Sequence, residues 1–242
     1  MTELTQVRDD DPMRFGTTSF YASIGRAFLA MCAFIPVLWA IEGLDTLLGG
    51  ALDQDGGIRP RSLAGVDGIV FAPFLHASFT HVLANSVPLL LLGTFVLAGQ
   101  FKRFLWITAF IALISGLTVW LFSPGNTLTV GASGVIFGYL GYLLLRGFVE
   151  RRWWSIGVSL LMGLLFGWQL IGVLPGEAHV SWQGHLGGFI AGLVAAILFR
   201  RPRPKRPKPA ESAKDPTLTL PGSLSDTATD LGTTVQLPGR TG

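Results

Sequence analysis

Long unbroken apolar runs set the pattern of this chain, and its polar and charged positions collect between the runs rather than alternating within them. The runs lie at about Ile24 to Leu44, Phe79 to Ala98, Phe104 to Phe122, Ala132 to Phe148, Trp153 to Leu174 and Gly184 to Phe199. They are about 17 to 23 residues long, enough at about 1.5 Å per residue to cross a hydrocarbon core of roughly 30 Å. The pattern predicts an all-α membrane protein built as a six-transmembrane-helix bundle. Between the first two runs, a Gly- and Asp-bearing stretch through Asp53, Gly56, Arg59, Pro60 and Arg61 predicts a long outer loop at about 45–74, with room for short helical pieces.

Composition agrees: 50% of the 242 residues are apolar, 14% are charged, and the mean hydropathy is +0.52, which excludes an ordinary soluble globular chain. The expected division is a polar cytoplasmic N-terminal segment at 1–22, a membrane domain at 23–200, and a basic, Pro-rich disordered cytoplasmic tail at 201–242. In the tail, Arg or Lys alternates with Pro before Ser, Thr, Gly, Pro and Asp take over, leaving too little apolar surface to drive folding. The net charge of +3 does not point to nucleic acid. Arg200, Arg201, Arg203, Lys205, Arg206 and Lys208 directly follow an apolar run and read as a stop signal beside anionic lipid headgroups. The single Cys32 has no partner for an intrachain disulfide. No short apolar stretch with a small-residue cleavage site precedes the first run, so no removable signal peptide is expected.

Basic residues fix the expected orientation. Arg8, Arg14 and Arg26 flank the first span, Lys102 and Arg103 lie between spans two and three, Arg146, Arg151 and Arg152 between four and five, and the basic tail follows six. The connections at 123–131 and 175–183 carry no Lys or Arg, although the first outer loop holds Arg59 and Arg61. The bias places both termini in the cytoplasm. Spans two, four and six then all run inward from the outer face, and their first turns hold the unusual polar residues: His81 and Asn85, Ser133, and His185.

Polar side chains inside a bilayer are costly when unpaired, so they turn toward the protein or a wet cavity and are candidates for chemistry. His81 and Asn85, four apart, share a helix face and could equally form a packing hydrogen bond. Ser133 stands in Gly131-Ala132-Ser133-Gly134, continued by Gly138 and Gly141, while Gly184, Gly188 and Gly192 recur in the last span. Small residues at this spacing let helices approach closely, which would bring His185 against Ser133. A neutral imidazole is the usual base for a serine hydroxyl. Between His76 and Arg200 the acidic residues are Glu150, at a cytoplasmic helix end, and Glu177, in an outer loop, so a Ser-His dyad is expected rather than a triad. Phe137, one turn after Ser133, is placed to pack under the imidazole. Asn85, His81 and the free N–H groups at the start of span four could face a developing oxyanion. A zinc site at His76, His81 and His185 lacks a nearby carboxylate or thiolate, and neither metal nor cofactor is expected. His76 is expected to cap or brace the first loop, His179 to lie solvated in an outer loop, and Trp153, Trp154 and Trp182 to anchor the interfaces.

The stretch His76-Ala77-Ser78-Phe79-Thr80-His81-Val82-Leu83-Ala84-Asn85, the motif Gly131-Ala132-Ser133-Gly134 and the motif Gly184-His185-Leu186-Gly187-Gly188 together resemble the signature segments of the rhomboid intramembrane proteases, over about residues 24–200. The resemblance implies Ser133 as nucleophile and His185 as general base, with His81, Asn85 and the Ser133 N–H as the oxyanion hole. It implies an endopeptidase in the bacterial plasma membrane, its site toward the outer face. Its substrates would be membrane-anchored proteins, cut in or beside a transmembrane segment. Phe137 stands where many members carry tyrosine, and Gly57-Ile58-Arg59-Pro60-Arg61 replaces a Trp-Arg pair in the first loop. Two other classes compete: a catalytically inactive rhomboid-like protein that holds membrane clients, and a transporter or channel, which a shallow polar cluster and the lack of an internal repeat disfavour.

Overall fold

The computed structural model describes residues 15–98, 100–176 and 180–200, and all regular elements among them are helical. The expectations for residues 1–14, for the tail at 201–242, and for Glu177 and His179 lie outside the described residues. Six longer helices account for the apolar runs: α1 Thr18–Leu47, α2 Phe79–Leu97, α3 Phe101–Phe122, α4 Ser133–Glu150, α5 Trp153–Phe166 and α6 Trp182–Leu198. Four stretches are long and apolar enough to cross a membrane: Thr18–Leu47, Phe79–Leu97, Phe101–Phe122 and Trp153–Val173. The chain is an all-helical, multi-pass integral membrane protein.

Local chemistry sets the helix starts. The Thr17 hydroxyl accepts from the Phe20 N–H (3.2 Å), so α1 begins inside the stretch assigned to the N-terminal segment. Ser78 caps α2 by accepting from His81 N–H (3.2 Å), and Ser181 caps α6 through Gly184 N–H (3.4 Å). One expected span is not a single α-helix: α5 ends at Phe166, and Gly167–Val173 continues as a 3-10 segment.

The core centres on α4, where Ile136, Tyr139, Leu140, Tyr142 and Leu143 are all buried, with Leu92 of α2, Ile107 and Ile111 of α3 and Ala195 of α6 around them. Many large side chains on the outside of α1, α3 and α5 are exposed, as lipid-facing surfaces require, among them Leu29, Trp106 and Leu164. At the C-terminal end of α4 the buried Glu150 pairs with Arg146 (3.1 Å) and with Arg103 of α3 (3.3 Å). Arg146 also lies over the rings of Tyr142 and Trp154. Two expectations are corrected here. Arg146 is not a connection residue, because α4 continues past it to Glu150. Trp154 is not an interfacial anchor: it is buried against Phe20 and Arg146, whereas Trp153 is exposed and meets Phe15 edge to face.

The first loop is built from short helical pieces, Ala51–Gly56, Leu63–Gly65, Gly68–Phe71 and Ala72–Phe74. It is strapped to the segment before α4 by a two-bond bridge, Ile58 N–H to Thr129 O (2.9 Å) and Thr129 N–H to Ile58 O (3.1 Å). Arg61 donates to the carbonyls of Leu121 (3.1 Å) and Ser123 (2.7 Å), which satisfies acceptors at the end of α3. The Trp120 indole donates in turn to Ser62 O (3.0 Å).

Near the end of α1, Asp45 Oδ1 accepts from the N–H groups of Leu52 (2.7 Å) and Asp53 (3.3 Å), holding the start of Ala51–Gly56. Burial, and then the neighbouring carboxylates of Asp45 and Glu42, pushes the Asp53 carboxyl up to about 6. The folded protein therefore keeps a proton that the unfolded chain sheds near 3.8, and it loses stability as pH rises from 3.8 to about 6. Asp53→Asn removes that loss: its melting temperature in detergent should exceed the parent's at pH 8 and match it at pH 4, as read by scanning fluorimetry.

Candidate active site

Ser133 is the first residue of α4, and the chain reaches it through Gly131 at φ +122°, a conformation that glycine alone adopts without strain. Gly131 donates its N–H to Ala72 O (2.8 Å), tying this turn to the first loop. A Cβ on Gly131 would lie 2.7 Å from Cε1 and 2.9 Å from Nε2 of His81, and 3.8 Å from Nδ2 of Asn85. The backbone entering α4 thus passes directly beside the polar face of α2.

The position of His185 follows from how closely α6 approaches α4. A Cβ on Gly188 would collide with the carbonyl oxygen of Gly134, one on Gly192 with that of Gly138, and one on Gly141 with the Phe189 carbonyl. Backbone meets backbone along this seam, and one turn before Gly188 the imidazole reaches the serine. The Ser133 hydroxyl donates to His185 Nε2 at 2.8 Å. The other ring nitrogen, Nδ1, lies 3.0 Å from the carbonyl of Gly172. A carbonyl only accepts, so Nδ1 carries the proton and Nε2 presents its lone pair to Ser133. Phe137 stacks on the imidazole with ring centroids 4.1 Å apart and planes at 11°.

Ser133 is half-buried and so open to a reactant, while His185 is buried. Asn85 is buried as well, and its Nδ2 donor has no partner within the protein. His76, 1% exposed, packs edge to face on His81 at 5.1 Å, bracing that ring from the loop side. Burial, and then His81 beside it, holds the His76 imidazole down at about 4, so it is neutral at physiological pH. Among the described residues no group of three or more His, Cys, Asp or Glu side chains is arranged to hold a metal ion.

Gly184 touches both neighbours: its carbonyl lies 3.4 Å from the Cβ position of Gly134 on α4 and accepts from the Ser115 hydroxyl of α3 at 2.8 Å, while its own Cβ position is 2.9 Å from Val119. The same hydroxyl fills the space beside Gly134, so Ser115 is wedged between the starts of α4 and α6. Ser115 was findable as a polar residue interrupting an apolar span. The Gly172 carbonyl was not, because a backbone acceptor leaves no mark in a sequence.

Comparison with known proteins decides the family: residues 65–202 match the rhomboid domain. The chain belongs to the rhomboid family. An uncharacterised protein of Mycobacterium tuberculosis strain H37Rv is 43% identical to this rhomboid over 180 residues, covering 71% of this chain and 75% of that one. Rhomboid protease GluP of Bacillus subtilis is 30% identical over 133 residues, covering 53% of this chain and 25% of GluP. RHOMBOID-like protein 1 of Arabidopsis thaliana is 33% identical over 133 residues, 52% of this chain and 32% of that protein.

The glycine seam of this rhomboid yields a stability test. Gly188→Ala puts a methyl group against the Gly134 carbonyl and should cost about 1–3 kcal/mol, seen as a lower melting temperature in detergent. Gly157→Ala, at a position with nothing within 4 Å, should leave the melting temperature unchanged or slightly raised.

Proposed function

We propose that this rhomboid is an intramembrane serine endopeptidase that cleaves membrane-anchored proteins in or next to their transmembrane segments by a Ser-His dyad. The observation that carries the reading is the 2.8 Å contact from Ser133 to an imidazole nitrogen left free to accept by its other nitrogen's bond to Gly172. Ser133 Oγ attacks the scissile carbonyl while His185 Nε2 takes its proton, and the same proton then passes to the leaving amine. The unpartnered Asn85 Nδ2, the His81 ring and the Ser133 N–H, which has no acceptor within its own helix, supply the oxyanion donors. Phe137 keeps the imidazole in plane, and Gly131, Gly134 and Gly188 keep the three helix starts close enough for these groups to meet.

In this reading six helices span the bacterial plasma membrane with both termini in the cytoplasm, and the site opens toward the outer face. The absence of Lys and Arg from the connections at 123–131 and 175–183 supports that orientation. The basic tail lies at anionic headgroups, and the reaction needs no cofactor.

Purified protein in liposomes should cut a model substrate with one transmembrane segment, and Ser133→Ala should abolish the product. Asn85→Ala should lower kcat by about 10²–10³. The rate should rise with pH as the imidazole loses its proton. Cutting that persists in Ser133→Ala contradicts the assignment. Client capture by a parent chain that cuts nothing, with Ser133→Ala indistinguishable from it, would instead mark an inactive client-binding rhomboid.

A further inference from the structure

The acceptor that sets the His185 tautomer belongs to a segment held to the apolar core by the half-buried Leu170. Gly167–Val173 is a 3-10 continuation of α5 with no buried residue, and Trp168 and Ile171 face outward at 69% and 67% exposure. Of the four long apolar stretches, Trp153–Val173 is the least buried. A 3-10 run of 7 residues is longer than is usual, and its hydrogen-bond geometry is poorer than that of the α-helix before it. Gly167, at the junction with α5, has nothing within 4 Å of its Cβ position. Only at Gly172 does the segment press on the site: a Cβ there would lie 3.2 Å from His185 Nδ1 and 3.3 Å from Phe137 Cζ. A side chain there would press on the edge of the stacked pair, which would have to give by a few tenths of an ångström.

We propose that Gly167–Val173 is a positioning element of the dyad: the Gly172 carbonyl does for His185 what a carboxylate does in a triad, and Ser133 is activated only while this segment is docked. The proton count is simple. In acylation the Ser133 Oγ–H proton moves to Nε2 as Oγ bonds to the scissile carbon and the carbonyl π pair moves onto its oxygen. The Nδ1 proton stays on its bond to Gly172 throughout, and that bond shares the charge of the imidazolium. With the segment swung outward, Nδ1 has no acceptor in the protein, the proton redistributes between the nitrogens, and the tautomer that donates to Ser133 instead of accepting from it is populated. A substrate segment wedged against α5 would therefore hold the enzyme idle until Gly172 returns to the ring. In a Ser-His-Asp triad, loss of the correct tautomer lowers kcat about 10⁴-fold.

The consequence for rate rests on the protease reading, but the tautomer does not. Histidine-selective ¹⁵N labelling of the full chain in nanodiscs at pH 8 distinguishes the two ring nitrogens, and among four histidines the His185 signals are assigned by their loss in His185→Gln. The parent should show a protonated Nδ1 and an unprotonated Nε2. Gly172→Val, which cannot seat the segment, should show a mixture of tautomers and a kcat lowered by about 10²–10⁴ with KM changed less than about threefold. If that variant does not fold, Gly172→Ala, whose contacts are tight but not prohibitive, should show the same changes in smaller measure. A parent with its proton on Nε2, or a folded Gly172→Val with the parent's tautomer or the parent's kcat, overturns the proposal. A parent that has the expected tautomer but cuts no substrate leaves the positioning role standing and removes the protease reading.

Discussion

α6 lies on α4 backbone to backbone, with Gly188 and Gly192 against the carbonyls of Gly134 and Gly138. In lipid there is no hydrophobic gain from joining two apolar helices, so such an approach draws on dispersion between well-fitted backbones. Everything at the site is measured from that seam. It sets the 2.8 Å between Ser133 and His185, and it leaves Phe137 room to lie flat beneath the ring. Ser115 secures the seam from the side of α3 by bonding the Gly184 carbonyl and filling the hollow at Gly134.

Charge is kept away from this seam. At the bundle's other end the buried Glu150 takes ion pairs from the buried Arg146 and the half-buried Arg103. Around Ser133 and His185 the groups in reach are of another kind: the Gly172 carbonyl meets the imidazole, and the Asn85 amide and the His81 ring line the space beside the Ser133 turn. A buried carboxylate would have to recover a desolvation cost of several kcal/mol, which a backbone acceptor avoids. A backbone carbonyl on the imidazole, as proposed above for a Ser-His dyad, therefore suits a site set among apolar helices.

Much of this could be read from the residues. Five of the six apolar runs are each a single α-helix, with ends displaced by a few residues, and the spacing of Gly134, Gly138, Gly188 and Gly192 announces which faces meet. The errors have a common cause. Hydropathy marks where a helix is apolar, not where its hydrogen bonds stop, so α4 continues through Arg146 to Glu150 and turns Arg146 and Trp154 into buried partners. For the same reason the break from α-helix to 3-10 at Phe166 was invisible, since the apolar run continues across it through Leu170, Ile171 and Val173. The glycine repeat told that Gly184 would meet α4, but not that α3 would press on it as well through Val119 and Ser115.

The central claim is that the Ser133 hydroxyl is a nucleophile made so by His185. The most direct measurement is covalent labelling by a fluorophosphonate probe in native membranes, followed by mapping of the modified residue. The account predicts a single adduct on Ser133 in the parent and none in His185→Ala, although that variant keeps the hydroxyl. Equal labelling in His185→Ala, or an adduct on any other residue, would contradict it.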